Sequence, residues 1–421
     1  MEGEKIKGLI EILMKIENVR VNDVEIDEKK NVIIKVVSTE VGTKCRKCGR
    51  ELTEQQGEDE AIRLRHIPML DHKVYIEIRP KRYTCTNCSG KPTTTQRLDW
   101  YDARTGQTKA YEKYILRQLV NSTVADVSIK EDLGYKAIEA IIARNIRSTV
   151  DWDKFENLNI LGIDEISLKK GHRDFVTIVS AKLSNGEVIV LAVLEGRKKE
   201  TVAQLLEQIP DELKKTVRRV CTDLYDGFIN AVKEVLPRAR IVADRFHVAK
   251  AYRNCVDDLR KQEMKRIKKQ LSKQEQKELK GTMWVLRKNP EDLEPEEQAL
   301  LKCLFEISPK LKQAYRYREQ LTAIFNEKLS KKKALHKINN WYKRVNNSGL
   351  TCFDSFLTTL DNWKDEISNF FLERNTSAFV EGFNNKIKVL KRRCYGIFNL
   401  SHLFQRIVLD LEGYDLFAPS Y

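Results

Sequence analysis

Three acidic residues, Asp164, Asp223 and Glu381, stand where separate elements of the chain can deliver them to one place. Asp164 ends the run Asn159-Ile160-Leu161-Gly162-Ile163-Asp164, and Asp223 follows Val220-Cys221-Thr222. Glu381 opens Glu381-Gly382-Phe383-Asn384-Asn385-Lys386 in a basic, asparagine-rich helical stretch. Hard divalent cations, Mg2+ or Mn2+, take oxygen ligands such as these carboxylates. Two such ions about 3.5–4 Å apart stabilise both the attacking and the leaving oxygen of a phosphodiester. The expected chemistry is that of a nuclease or a strand-transfer enzyme, with no covalent protein intermediate. Each acid also has a plainer role. An aspartate after a strand often caps a turn or helix, and a single helical glutamate is often just solvated. Asp226 competes with Asp223 but lies further into the turn, where it can cap the next helix. Asp244, at the end of a fifth strand, should stand slightly away from the metals and support them together with His247.

The elements that must position these acids are legible in outline. From Asn159 the apolar pattern has the period of strands: Ile160 to Asp164, Phe175 to Ala181 and Val188 to Leu194, with Ser184-Asn185-Gly186 as a hairpin turn. A helix carrying Val202, Leu205, Leu206 and Ile209 follows and ends at Pro210. Then come strand Val217 to Thr222, helix Gly227 to Leu236 and strand Arg240 to Ala243. Three hairpin-linked strands, then helix, strand, helix, strand, is the order of an RNase H-like fold. It puts Asp164 on the central first strand and Asp223 just past its parallel neighbour.

Nine cysteines divide into two sets. Cys45-Arg46-Lys47-Cys48 and Cys85-Thr86-Asn87-Cys88 are two C-x-x-C knuckles, which read as four thiolate ligands of one structural Zn2+. A disulfide pair or a redox motif are the rival readings. The 36-residue gap contains a hairpin, Ile62 to Pro68 and Lys73 to Arg79, that would return the second knuckle to the first. His66 and His72 lie in that gap and read as surface residues. Cys221, Cys255, Cys303, Cys352 and Cys394 read as small core residues.

Past Pro92-Thr93-Thr94-Thr95 the pattern turns helical. Tyr111, Tyr114, Ile115, Leu116 and Leu119 mark one helix, and Asn121-Ser122-Thr123 caps a second. After the Leu133-Gly134 turn, Ile138, Ile141 and Ile142 stripe a third, with Lys136, Arg144 and Arg147 at its other positions. This resembles a helix-turn-helix, whose final helix enters the major groove. Lys130 stands where such motifs place a small residue, and a plain three-helix linker is the alternative.

The 421 residues imply several domains, and 76 Lys+Arg against 61 Asp+Glu give a net charge of +15, which favours a polyanionic partner. Residues 251–350 hold 24 Lys+Arg and 13 Asp+Glu, a net of +11, and read as a helical insertion. Within it, Tyr315-Arg316-Tyr317-Arg318 and Trp341-Tyr342-Lys343-Arg344 interleave aromatics with cations, which suits stacking on distorted bases or, alternatively, helix packing. No 18-residue apolar run or signal-like N-terminus appears, so no membrane partner and a cytoplasmic location are expected. On the helix of Glu381, Asn384, Asn385 and Lys388 share its face at i+3, i+4 and i+7 and would look at DNA phosphates.

Nearly the whole chain resembles the bacterial insertion-sequence transposases of the ISL type. The most specific segments are Gly162-Ile163-Asp164-Glu165, Thr222-Asp223-Leu224-Tyr225, Asp244-Arg245-Phe246-His247 and Glu381-Gly382-Phe383-Asn384-Asn385-Lys386-Ile387-Lys388. The tail Lys391-Arg392-Arg393-Cys394-Tyr395-Gly396-Ile397-Phe398-Asn399 is also typical. Ser377-Ala378 stands where the family often has Ser-Asn. The resemblance implies Asp164, Asp223 and Glu381 as the catalytic acids and Asp244 and His247 as a D-x-x-H signature. It implies terminal inverted repeats and target DNA as double-stranded partners, with Lys136, Arg144, Arg147, Asn384, Asn385, Lys388, Lys391, Arg392 and Arg393 contacting DNA. Action on two ends implies at least a homodimer, near the nucleoid of a bacterium. The expected chain is multidomain α+β. A four-cysteine zinc finger (1–95) and a helix-turn-helix (96–150) precede an RNase H-like α/β catalytic core (151–250 and 371–421), which carries a long helical insertion (251–370). A DNA-binding regulator with an inactive core, or a nuclease or resolvase of branched DNA, are the rival functions.

Overall fold

The computed structural model describes residues 2–168, 175–272, 274, 279–374, 378–394, 396, 397 and 399–418. Ser377, Tyr395 and Phe398 of the segments above lie outside the described residues. The chain divides into two units, Met1–Ile146 with Leu409–Tyr421, and Arg147–Val408.

In the first unit, helix α1 (Glu2–Met14) precedes strands β1 (Val19–Ile26) and β2 (Val32–Ser38). The short strands β3 (Thr43–Lys44), β4 (Glu51–Leu52) and β5 (Gln55–Glu58) come next. The hairpin β6 (Ile62–Met69) and β7 (His72–Ile78) turns at Leu70-Asp71, both at positive φ, and β8 (Lys81–Thr84) and β9 (Thr93–Thr95) follow. β-Branched residues fill β2, and it pairs with β7 in parallel, giving a sheet ordered β1-β2-β7-β6 around Ile34, Val74 and Ile76. The hairpin between the cysteine knuckles therefore serves this sheet. The cysteines lie in the turns between β3 and β4 and between β8 and β9, strands that belong to a separate two-stranded sheet, β3-β4, and a three-stranded one, β5-β8-β9.

His66 is buried, contrary to the surface position expected of it. It faces inward from β6, and its Nδ1 lies 2.9 Å from Oγ1 of Thr108. Thr108 in turn accepts the Tyr111 amide and caps helix α2 (Lys109–Leu119). Burial pushes the imidazole down to about 4, so it stays neutral at physiological pH. Helices α3 (Val124–Glu131) and α4 (Tyr135–Asn145) complete a three-helix group. Thr123 caps α3, and Asp132 in the left-handed region ends it just before Leu133-Gly134.

Arg144, expected to contact DNA, is exposed and also ties these helices together. Its Nη2 donates to Oε1 of the buried Glu112 at 2.5 Å, and the Asn145 amide reaches Oε2 at 2.8 Å. Arg144→Ala leaves that carboxylate with one strong donor. It is expected to lower stability by roughly 1–3 kcal/mol in urea denaturation, below the full cost of a broken buried pair because Asn145 remains. Wild-type stability in that variant would count against the structural role. Lys136 is exposed on α4, and Arg147, in the second unit, pairs with Asp151 at 2.8 Å.

The second unit is built on one mixed sheet. Strands β10 (Ile160–Ser167), β11 (Phe175–Lys182) and β12 (Val188–Glu195) are antiparallel neighbours. Helices α5 (Lys199–Glu207) and α6 (Asp211–Thr216) lead to β13 (Arg219–Thr222), and α7 (Asp226–Val235) leads to β14 (Arg240–Ala243). The sheet order is β12-β11-β10-β13-β14, with β13 parallel to both β10 and β14. Helix α6 is an addition to the sequence expectation. Pro210 ends one helix and also opens the next, where Asp211 and Glu212 meet the favourable end of the helix dipole.

Long α8 (Arg245–Ile267), short α9 (Thr282–Val285), then α10 (Pro295–Ile307), α11 (Pro309–Asn326), α12 (Lys331–Asn346) and α13 (Asp354–Ser368) form the helical region. In its core Trp341 is fully buried and stands edge-on to Phe353 and Phe356, among many leucines and isoleucines. Tyr315 is buried as well. Packing therefore claims Tyr315 and Trp341, and neither presents a face for a base. Helix α14 (Ala378–Arg393) then returns to the sheet, and α15 (Leu400–Leu416) ends the described chain. No helix among the described residues is long and apolar enough to cross a membrane.

Candidate active site

Strand alternation decides which side chains meet. Leu161, Ile163 and Val220 pack with α5 and α7 on one face of the sheet, while Ile160, Cys221 and Val242 join the core with α8 on the other. Asp164 and Asp223 continue that second series by steps of two. In register Gly162 lies beside Cys221 and Ile163 beside Thr222, so the next step brings the two aspartates together. Asp164 is inside β10, since the strand runs on to Ser167 rather than ending at the acid.

Asp244 ends β14, accepts the Phe246 amide at 2.7 Å and so caps α8. The cap swings His247, three residues on, back over the strand ends. Ligand atoms of Asp164, Asp223 and His247 lie within 4.8 Å of one another, a group that can hold a metal ion. Asp244 stands behind it, with Oδ2 at 3.7 Å from Nδ1 of His247.

Electrostatics makes this group costly without a cation. Burial, then the neighbouring Asp164 charge, pushes the Asp223 carboxyl up to about 7. Burial likewise raises Asp164, opposed by the Glu165 amide, which donates to it at 2.7 Å. The paired Asp244 carboxylate holds the His247 imidazole above its usual value against the opposing effect of burial. Among the described residues, Oδ1 of Asp223 is buried without a hydrogen-bond partner. Buried polar atoms normally have partners, so this one is fit to bind a ligand, while Nδ1 of His247 is turned to Asp244.

Helix α14 closes the site. Val380 and Phe379 pack against β10 at Gly162, where a Cβ would lie 2.7 Å from Val380. Glycine two residues before Asp164 thus lets the helix approach. Asn384 is 3 % exposed, and its amide donates to Oδ2 of Asp164. It was expected on a DNA-facing surface. Its place beside the buried stripe Val380, Phe383, Ile387 and Leu390 is the sequence signal for burial. Glu381 is exposed and does not belong to the Asp164–Asp223–His247 group. Asn385, Lys388 and Arg392 are exposed, Lys388 close enough to favour the charged form of Asp164. Lys391 is turned inward, donating to the Ser167 carbonyl, and Arg393 is half-buried.

Asn384→Ala is expected to cut turnover by ~10–100-fold, with partial recovery at raised Mg2+, because partners that orient a metal ligand typically contribute that much. A loss that no metal concentration relieves would assign Asn384 to helix packing alone.

The four cysteines of the first unit form a second group, their sulfurs all within 4.8 Å. Sγ of Cys48 and Cys85 are 3.7 Å apart, and Arg50 ties the knuckles by donating to Asn87 at 2.9 Å. Gly49 at φ +73° tightens the first knuckle, and the Cys48 and Lys47 amides pull the Cys45 thiol down to about 6. No disulfide links any of the cysteines among the described residues. Cys221 and Cys255 are core residues, whereas Cys303 is exposed, unlike the core position expected for it.

An acidic cluster fit for metal on a mixed sheet, in a strongly basic chain, defines a class: proteins that act on nucleic acids through gathered carboxylates. Residues 161–407 match the transposase family model of the ISL3 type, so the chain belongs to the ISL3 family of DDE transposases. It is 26 % identical over 374 residues to the transposase for insertion sequence element IS1001 of Bordetella parapertussis, covering 88 % of this chain and 89 % of that protein. It is 25 % identical over 401 residues to the transposase for insertion sequence element IS1557 of Mycobacterium tuberculosis, covering 90 % and 87 %.

Proposed function

We propose that this transposase binds the terminal inverted repeats of an insertion sequence, cleaves DNA at the element ends and joins them to target DNA. The convergence of Asp164, Asp223 and His247, with a buried Oδ1 of Asp223 that has no hydrogen-bond partner among the described residues, carries the reading. The order β12-β11-β10-β13-β14 supports an RNase H-like catalytic core, and α2–α4 a helix-turn-helix with Lys136 on its last helix.

Asp164 and Asp223 would hold Mg2+ or Mn2+, with His247 alongside and Asp244 orienting it. Those cations, when bound, polarise the scissile phosphate and stabilise the leaving oxygen. Asn384 keeps Asp164 in position. Glu381 is the proposed third acid. Residues three apart on a helix have Cβ atoms about 5–6 Å apart, so it sits at the rim of the site one turn from Asn384. Lys388, Asn385 and Arg392 border the same rim and suit DNA phosphates. The four thiolates would hold a structural Zn2+. Tetrahedral Zn–S bonds of about 2.3 Å require sulfurs about 3.8 Å apart, close to the Cys48–Cys85 separation. Action on paired ends calls for at least two copies on DNA.

Purified protein with Mg2+ should cut duplexes ending in the terminal repeats of its element, and EDTA should stop it. Metal-dependent cleavage of four-way junctions in preference to repeat ends would favour a resolvase. Repeat binding with no cleavage would favour a regulator.

A further inference from the structure

We propose that a cavity of about 230 Å³ beside the acid cluster receives one unstacked nucleobase from the DNA strand being cut, with Phe246 as its stacking platform. The inference rests on the proposed cleavage at Asp164 and Asp223. Phe246 and His247 are consecutive in the first turn of α8, their rings edge-to-face at 5.6 Å and 82°. One ring therefore belongs to the acid cluster while the next opens into the cavity. Phe246 is 56 % exposed, an aromatic that packing leaves unused.

Lys250 and Arg253 follow Phe246 at i+4 and i+7 and line the same wall. Both are exposed, and among the described residues neither forms an ion pair with a carboxylate. They are placed to take the phosphates that flank a displaced base. The facing wall is rigid. Arg318 is buried, donates to the Leu286 and Lys288 carbonyls and lies 4.3 Å from the Tyr315 ring centre. The one acid in the lining, Asp257, is neutralised by Arg260 at 2.9 Å and by Lys261 and Arg287, each at 3.4 Å. A cavity of about 150 Å³ already takes benzene, so this one has room for a base. Enzymes that need access to a stacked strand gain it by extruding a nucleotide, and aromatic faces hold any base with little sequence preference.

The test places 2-aminopurine singly at each nucleotide flanking the cut, on both strands, with Asp223→Asn protein and Mg2+ so that the duplex stays whole. One position should brighten several-fold, and the added substitution Phe246→Ala should abolish that signal while Phe246→Tyr keeps it. In an otherwise wild-type chain Phe246→Ala should slow cleavage about 10–100-fold. An abasic nucleotide at that position should remove the difference between the two proteins. Cleavage by the wild type with no Phe246-dependent signal at any position overturns the proposal, as does an equal Phe246→Ala deficit on abasic DNA. A wild type that binds repeats and never cuts them overturns the underlying function and this inference with it.

Discussion

Asp223→Asn is expected to reduce DNA end cleavage by at least ~10³-fold while changing terminal-repeat binding by no more than a few-fold, because a carboxylate that positions a catalytic cation supports several kcal/mol of transition-state stabilisation. The same variant should make the metal-free protein more stable at neutral pH. An unfolded aspartate titrates near about 3.9. In the fold Asp223 titrates near 7, so between those values the native state keeps a proton that the unfolded chain has released. Stability therefore falls as pH rises through this window. The loss at pH 8 is on the order of 2–4 kcal/mol. The raised imidazole of His247 acts in the same direction, since its contribution is present at low pH and lost as pH rises through its folded value. Thermal melts in EDTA should show wild type less stable at pH 8 than at pH 5, a flatter profile for Asp223→Asn, and Mg2+ protecting wild type more than the variant. Equal loss of cleavage and repeat binding, or a pH profile unchanged by the substitution, would make Asp223 a structural residue.

Removing metal from the cysteine group should have the next largest effect. Cys85 is wholly buried, and the sheets around it are short. Structural zinc supplies about 10–16 kcal/mol in small zinc modules at neutral pH. Purified chain should contain one Zn2+ per molecule. Cys85→Ser should lose that ion and the hydrogen-exchange protection of residues 43–95, and repeat binding should weaken ~10²-fold or more. A metal-free preparation that binds repeats normally would remove zinc from the account.

Much of the catalytic unit was legible because its signals are local. The Asn185-Gly186 turn, the β-branched runs and the 3.6-residue stripes marked β11, β12, β14 and α7 to within a residue or two. The C-x-x-C pairs announced four converging thiols, since two tight knuckles leave their sulfurs little freedom. Less local features were harder. The pairing of β2 with β7 joins residues about forty positions apart, and nothing in either strand names its partner. His66 read as a surface residue, and only the packing of Thr108 and the α2 cap against β6 encloses it. The pairing of Arg144 with Glu112 was hidden as well, because a cation on a helix says nothing of the buried carboxylate it reaches. Tyr315 and Trp341 suited either base stacking or helix packing, and the structure buries both among the leucines and isoleucines of the helical core.

The amino-acid sequence by itself determined that this is a basic chain with two C-x-x-C knuckles and two aspartates that follow short apolar runs. Residue type and spacing suffice for those statements, because they concern turns, periods and ligand chemistry. Only the tertiary structure decided which side chains of α8 and α14 reach Asp164. Small rotations of those helices choose between His247 and Asp244, and between Asn384 and Glu381. Packing of Val380 over Gly162 fixes the placement of α14, through contacts between residues more than two hundred positions apart.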